Sequence, residues 1–174
     1  LHLDIKPRNI LINHEGRVKI IDFGIAELSG LNGHGSASGG TIGYMPLEQL
    51  EGTETSERTD EWAFASVVYE LCTDEFPYAD VVGFEASYGQ MLKAQQFDEP
   101  SLLQTNDPLL DEIFATALSI NPDDRYPTVK KFSNALLERL GDVAEGRKVL
   151  KEVVSDLTND EEDTTERNSQ SSET

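Results

Sequence analysis

Cysteine is nearly absent from this chain: Cys72 is the only one in 174 residues. A single thiol closes no intramolecular disulfide and builds no zinc cluster, so packing and polar contacts must hold the fold, and a reducing, cytoplasmic setting is expected. Cations are also scarce. Fourteen Lys and Arg stand against 33 Asp and Glu, a formal net charge of −19. Nucleic acid and anionic membrane both need basic surface, so neither is expected as a partner. No apolar run approaches the roughly 18 residues that cross a bilayer, and no basic stretch leading into an apolar one marks a secretory signal. Internal repeats are missing too. What is present is 37% apolar and 27% charged, enough for one domain with a sizeable core plus an appendage.

The first 24 residues organise the rest. A polar stretch, His2-Leu3-Asp4-Ile5-Lys6-Pro7-Arg8-Asn9, is followed by two short β-branched runs, Ile10 to Asn13 and Val18 to Ile21. His14-Glu15-Gly16-Arg17 supplies the turn between them, with Gly16 free to take φ > 0. Asp22-Phe23-Gly24 comes next. A hairpin at this place returns the chain, so Asp4, Lys6 and Asn9 are expected near Asp22. Two carboxylates, an amide oxygen and an ammonium group suit Mg²⁺ and phosphate, because a hard cation takes oxygen ligands and often only one or two carboxylates.

The pattern H-x-D-x-K-x-x-N followed by D-F-G resembles the catalytic and magnesium loops of protein kinases. The resemblance implies a role for each residue. Asp4 would accept the proton of the substrate hydroxyl, and Lys6 would lie against the γ-phosphate of ATP. Lys6, two residues after Asp4, is more similar to Ser/Thr than to tyrosine kinases. Asn9 and Asp22 would hold Mg²⁺, His2 and Phe23 would brace the site, and Leu11 would pack under the adenine ring. Gly40-Thr41-Ile42-Gly43-Tyr44-Met45-Pro46-Leu47-Glu48-Gln49 resembles the end of the activation loop in bacterial Ser/Thr kinases. There Thr41 and Glu48 would form the substrate platform, with Pro46 and Leu47 replacing the usual Ala and Pro. Proline fixes φ and removes a donor, so a local backbone shift is expected. Arg125, in Asn121-Pro122-Asp123-Asp124-Arg125, matches the late arginine that pairs with that glutamate. Asp60 opens D-x-W-x-x-A, similar to the family helix whose Asp holds the catalytic turn.

The remaining chain reads as helices and connections. Asp60 to Cys72 is apolar nearly all round, a central buried helix that Thr59 or Asp60 can cap, with Trp62 and Cys72 in the core. Asp74 to Tyr78 is a turn similar to the family's G-x-x-P-F loop. Phe84 to Phe97, the segment capped by Asp107-Pro108, and Thr128 to Leu140 ended by Gly141 carry further apolar stripes. Ile25 to Gly40, rich in Gly and Ser, resembles an activation loop. The implied fold is a protein-kinase-like C-terminal lobe over 1–140, mainly α-helical with a small β-hairpin. A short helix is expected within 141–157, and an acidic disordered tail over 158–174. Residues 151–174 hold eight acidic and two basic residues, a net of −6, which leaves −13 for residues 1–150.

The chain starts at Leu1, directly before the catalytic-loop motif, and its 174 residues hold no Gly-rich phosphate loop, strand lysine or glutamate partner for it. The N-terminal lobe is therefore expected as a missing covalent partner, and the chain alone is expected to be inactive. The expected function is partial Ser/Thr protein kinase, acting on ATP and a protein substrate. An interaction module without catalysis is the alternative. A small-molecule phosphotransferase is disfavoured by Lys6, the Gly40–Gln49 platform and Arg125. Leu3 stands where well-known family members carry an Arg that binds activation-loop phosphate, and leucine makes no such contact. Phosphorylating that loop should therefore change turnover of the intact enzyme by less than about threefold, measured against an alanine-substituted loop; a many-fold rise would contradict this.

Overall fold

A computed structural model describes residues 1–22, 42–83, 85–101, 107–141, 144, 146–150 and 155. The chain divides into two compact units: one comprises Leu1–Asn9 and Asp22–Gly141, the other Ile10–Ile21 and Asp142–Thr174.

The second unit contains the β-hairpin. Strands β1 (Ile10–Ile12) and β2 (Val18–Ile20) pair antiparallel, with Ile10 opposite Ile20 and Ile12 opposite Val18. The turn closes through Asn13, whose Oδ1 accepts from the N–H groups of Glu15 at 3.0 Å and Arg17 at 2.9 Å. Gly16 takes φ 70°, as the turn demands. Residues 144, 146–150 and 155 are helical; the other residues of 141–157 beyond Gly141, and all of 158–174, lie outside the described residues.

The first unit is helical. Its elements are α1 (Leu47–Glu51), α2 (Glu57–Thr73), α3 (Ala79–Val82), α4 (Tyr88–Phe97), α5 (Pro108–Ala117) and α6 (Val129–Leu140), with short 3₁₀ turns at Pro7–Asn9 and Pro122–Asp124. Pro46 sits at the N-cap of α1 with φ −75°, where a missing N–H has little cost.

α2 begins earlier than the apolar pattern suggests. Ser56 is its N-cap, and Ser56 and Thr59 form a reciprocal capping box, so neither Thr59 nor Asp60 is the cap. That leaves the Asp60 carboxylate available to other partners. At the other end, Asp74 caps α2 in the left-handed conformation (φ 61°). Aspartate tolerates that conformation better than most residues, which accounts for Asp where glycine is frequent.

The helix expected from Phe84 begins instead at Tyr88, capped by Ser87, whose side chain and that of Gln90 cross-bond as a second capping box. Phe84 itself lies outside the described residues. α5 and α6 start at Asp107 and Thr128 caps, and α6 ends at Gly141.

Trp62, Ala65 and Tyr69 of α2 pack against Met91 and Ala94 of α4, Phe114 and Ala117 of α5, and Phe132 and Leu136 of α6 in one apolar cluster. Phe132 is fully buried and meets the rings of Phe64 and Phe114 edge-on at 6.0 and 5.9 Å. Trp62 is fully buried. Cys72 is exposed, not core. Tyr69 is the last buried residue of α2, and Leu71 and Cys72 fall in the outward-facing final turn. Gly43 backs directly onto Phe76: a Cβ there would lie 3.0 Å from the ring.

One core residue is out of character. Glu61 of α2 is fully buried, and neither carboxylate oxygen has a hydrogen-bond partner among the described residues. Burial pushes its pKa up to about 8, against the pull of Arg125 and Arg58 and with a further push from Glu48. The native state thus binds this proton more tightly than the unfolded chain. The contribution is complete below the ordinary value of 4.5 and is lost as pH rises through about 8. Glu61→Gln should match wild type near pH 5 and exceed it above pH 8 by roughly 2–4 kcal/mol in urea unfolding. Parallel curves for the two proteins across that range would contradict this.

Candidate active site

The Asp4 carboxylate sits between two nitrogen donors. Lys6 Nζ lies 2.9 Å from Asp4 Oδ2, and Asn9 Nδ2 donates to the same oxygen at 2.9 Å. Asn9 Nδ2 also donates to the Asp4 backbone carbonyl at 2.8 Å. The 3₁₀ turn at Pro7–Asn9 makes this possible, because it folds Asn9 back over Asp4 and buries it. Both contacts, one to the carboxylate and one to the carbonyl, use the amide nitrogen of Asn9 and not its amide oxygen.

Leu3, next to Asp4, adopts φ 60°. A left-handed leucine costs roughly 1–2 kcal/mol, so something must hold it there. Asp60 does so: its Oδ2 accepts from the His2 N–H and its Oδ1 from the Leu3 N–H, both at 2.7 Å. Such short bonds from N–H to carboxylate are charge-assisted. His2 is buried, and its Nδ1 accepts from the Asp4 N–H at 3.3 Å. Gln49 Nε2 donates to the Leu3 carbonyl at 2.7 Å.

Glu48 and Arg125 form the second polar centre. Arg125 Nη1 donates to Glu48 Oε1 at 2.8 Å and Nη2 to Oε2 at 3.0 Å, a two-pronged pair between buried residues 77 positions apart. The remaining donors of the guanidinium reach the carbonyls of Ser119, Arg58 and Ile120. Thr59 Oγ1 donates to Glu48 Oε1 at 3.0 Å while accepting from the Ser56 N–H. Arg58 answers by donating through Nη1 to the carbonyls of Pro122, Asp123 and Arg125. Tyr44 lies between the two centres in sequence and donates to Glu70 Oε2 at 2.6 Å; burial and then this carboxylate raise its pKa.

The other expected site residues are placed as follows. Asp22 is exposed with φ 64° and makes no side-chain hydrogen bond or ion pair with the described residues. In sequence it lies two residues after Ile20, the last paired residue of β2. Leu11 is half exposed on β1, in the other unit. Phe23, Thr41 and the stretch from Ile25 to Gly40 lie outside the described residues. Arg58 and Gln49 were not singled out by sequence reasoning, and Thr59 only as a helix cap, not as a partner of Glu48. Arg58 did carry a signal: a cation in a first helical turn opposes the helix dipole, which points to a tertiary contact.

Asn9 and Asp22 carry an amide oxygen and a carboxylate, hard oxygen donors of the kind Mg²⁺ accepts. The Asp4 carboxylate, flanked by an ammonium and an amide, thus sits on a turn pinned from a buried helix. Residues 1–142 match the protein kinase domain, and the chain belongs to the protein kinase family. It is 34% identical over 152 residues to the serine/threonine-protein kinase PknF of Mycobacterium tuberculosis, covering 81% of this chain and 31% of that protein. It is 34% identical over 144 residues to mitogen-activated protein kinase kinase 2 of Arabidopsis thaliana, covering 80% and 40%. It is also 33% identical over 141 residues to the tyrosine-protein kinase MasK of Myxococcus xanthus, covering 78% and 21%. The chain thus spans between about a fifth and two fifths of the length of these relatives. Among the described residues no helix is long and apolar enough to cross a membrane.

Removing one partner of a buried pair strands the other charge. Arg125→Ala should cost about 3–5 kcal/mol in denaturant unfolding. Arg125→Lys, which lacks the flat fork, should recover less than about half of that loss. A cost under about 1 kcal/mol for the alanine variant would place the pair among weak surface bridges.

Proposed function

We propose that residues 1–140 form the C-terminal lobe of a Ser/Thr protein kinase that transfers the γ-phosphoryl group of ATP to a protein hydroxyl. The observation that carries this reading is the Asp4 carboxylate held at 2.9 Å by both Lys6 and Asn9 on a turn tied to Asp60. Asp4, ionised, accepts the hydroxyl proton as the oxygen attacks phosphorus. Lys6 neutralises charge on the transferred group. Asn9 and Asp22 supply oxygen ligands for Mg²⁺, which offsets the phosphate charge when bound. Leu11 offers an apolar surface to the base. Thr41 and Glu48 belong to the platform for the protein substrate, Glu48 through its anchorage to Arg125. His2, Phe23 and Asp60 are structural supports.

Lys6, two residues after Asp4, favours Ser/Thr over Tyr as acceptor, and the name of PknF agrees with this, whereas that of MasK points to tyrosine. A cytoplasmic location fits the acidic, cysteine-poor composition. The 174 residues hold no Gly-rich phosphate loop or strand lysine. An interaction role without catalysis is therefore the second reading for these residues acting alone.

Incubated alone with Mg²⁺, ATP and a basic protein, the chain should show no transfer above background. In the intact polypeptide that supplies a nucleotide clamp, Asp4→Asn should lower kcat by at least about 10³-fold, and the acid-hydrolysed product should be phosphoserine or phosphothreonine. A fully active Asp4→Asn variant would remove Asp4 as base, and phosphotyrosine would overturn the acceptor class.

A further inference from the structure

We infer that Gln49 is a positioning residue for Asp4, its side-chain amide holding the Leu3–Asp4 peptide plane and so aiming the carboxylate. The inference rests on the kinase reading above. The two bonds to Asp60 fix the peptide planes on the N-terminal side of Leu3, through the N–H groups of His2 and Leu3. The next plane, which carries the Leu3 carbonyl and the Asp4 N–H, is held differently. Among the described residues its N–H reaches only His2 Nδ1, at 3.3 Å, while its carbonyl accepts from Gln49 Nε2 at 2.7 Å. Rotation of that plane would swing the Cα–Cβ bond of Asp4. On the far side, the Asp4 carbonyl is held by Asn9 Nδ2 at 2.8 Å. Two side-chain amides thus grip the carbonyls on either side of the Asp4 α-carbon.

The geometry also explains why a grip is needed. Leu3 has φ 60°, a region that glycine enters freely and leucine leaves when released. Gln49 reaches it from a fixed base, since the preceding residue, Glu48, is locked by Arg125. The motif that carries Glu48 therefore has a second output, one residue on, directed at the base.

Amide hydrogen exchange on the full 174-residue chain tests this without relying on activity. Gln49→Leu, and Gln49→Glu, which keeps the length but cannot donate, should each speed exchange at Leu3 and Asp4 by at least about tenfold, with α2 amides unchanged. Adding Leu3→Gly to Gln49→Leu should return Asp4 exchange to within about threefold of wild type, because glycine holds the turn unaided. In the intact polypeptide, Gln49→Leu should lower kcat by about tenfold with KM for the protein substrate within twofold, and Leu3→Gly should restore most of it. Unchanged exchange at Leu3 and Asp4, or a rise shared equally by α2, overturns the inference. So does faster exchange with unaltered kcat. Loss of transfer in wild type with the exchange pattern intact would count against the kinase reading and leave the grip on the turn standing.

Discussion

The buried pair between Glu48 and Arg125 is the contact on which the arrangement depends. Taking a carboxylate and a guanidinium out of water is unfavourable unless every hydrogen-bonding position is filled. Here both carboxylate oxygens are met by Arg125, and Thr59 adds a third bond. The guanidinium meets two carboxylate oxygens and three carbonyls. Arg is suited to this because its donors lie in one rigid plane. The pair joins α1, the first turn of α2 and the loop before Tyr126. Thr59 and Asp60 are neighbours in that turn: Thr59 bonds to Glu48, and Asp60 bonds to His2 and Leu3. The helix that carries Glu48 and the turn that carries Asp4 are therefore both referenced to the same two residues of α2, which is itself immobilised by the core around Trp62 and Tyr69.

Much of this was legible in the sequence where local chemistry and motif coincided. Pro108 after Asp107, Gly141 after Leu140 and the polar break around Gly16 marked element ends through φ preferences alone. Arg125 could be matched to Glu48 only because each lay in a motif, since no periodicity links positions 77 apart. The start of α2 was misplaced for a physical reason. Ser56 and Thr59 form a box in which threonine replaces the usual Glu or Gln, so the familiar spacing carried an unfamiliar residue. The start of α4 was missed although Ser87 and Gln90 do fit the usual box; the apolar Phe84 drew the boundary outward.

Other features have no one-dimensional signature. An apolar run says that a helix is buried but not where burial stops, so Cys72 reads as core and is, like Leu71 beside it, exposed. Glu61 gives the reverse case: a charged residue in a helix pattern is expected outside, yet it is fully buried. The backbone of Leu3 is equally invisible, because leucine is a poor candidate for φ > 0 and only tertiary contacts keep it there. Among the described residues the non-glycine positions with positive φ are Leu3, Asp22 and Asp74. Asp74 is an ordinary helix cap. The other two lie in the two motifs that resemble the catalytic and magnesium loops. Strain in such places is tolerated when surrounding structure over-determines it, and the bonds from Asp60 and Gln49 do that for Leu3.

The distribution of cations follows from the same constraint. With only 14 Lys and Arg in the chain, each one turned inward leaves surface acid uncompensated. Arg125 is buried, and Arg58 directs its Nη1 at the backbone carbonyls of Pro122, Asp123 and Arg125. Lys6 is engaged with Asp4. Beside the pair, a cleft is lined by Glu51, Glu54, Glu99 and Asp124, with no arginine or lysine among its lining residues. Like charges gathered this way repel one another and oppose compaction. The fold accepts that repulsion because Arg125, pointed at the buried Glu48 carboxylate and at carbonyls, satisfies groups that water reaches poorly. A surface bridge in their place would contribute about 0–1 kcal/mol, whereas an unpartnered buried charge costs several. The uncompensated acid beside the pair thus reflects where the arginines of this region are used.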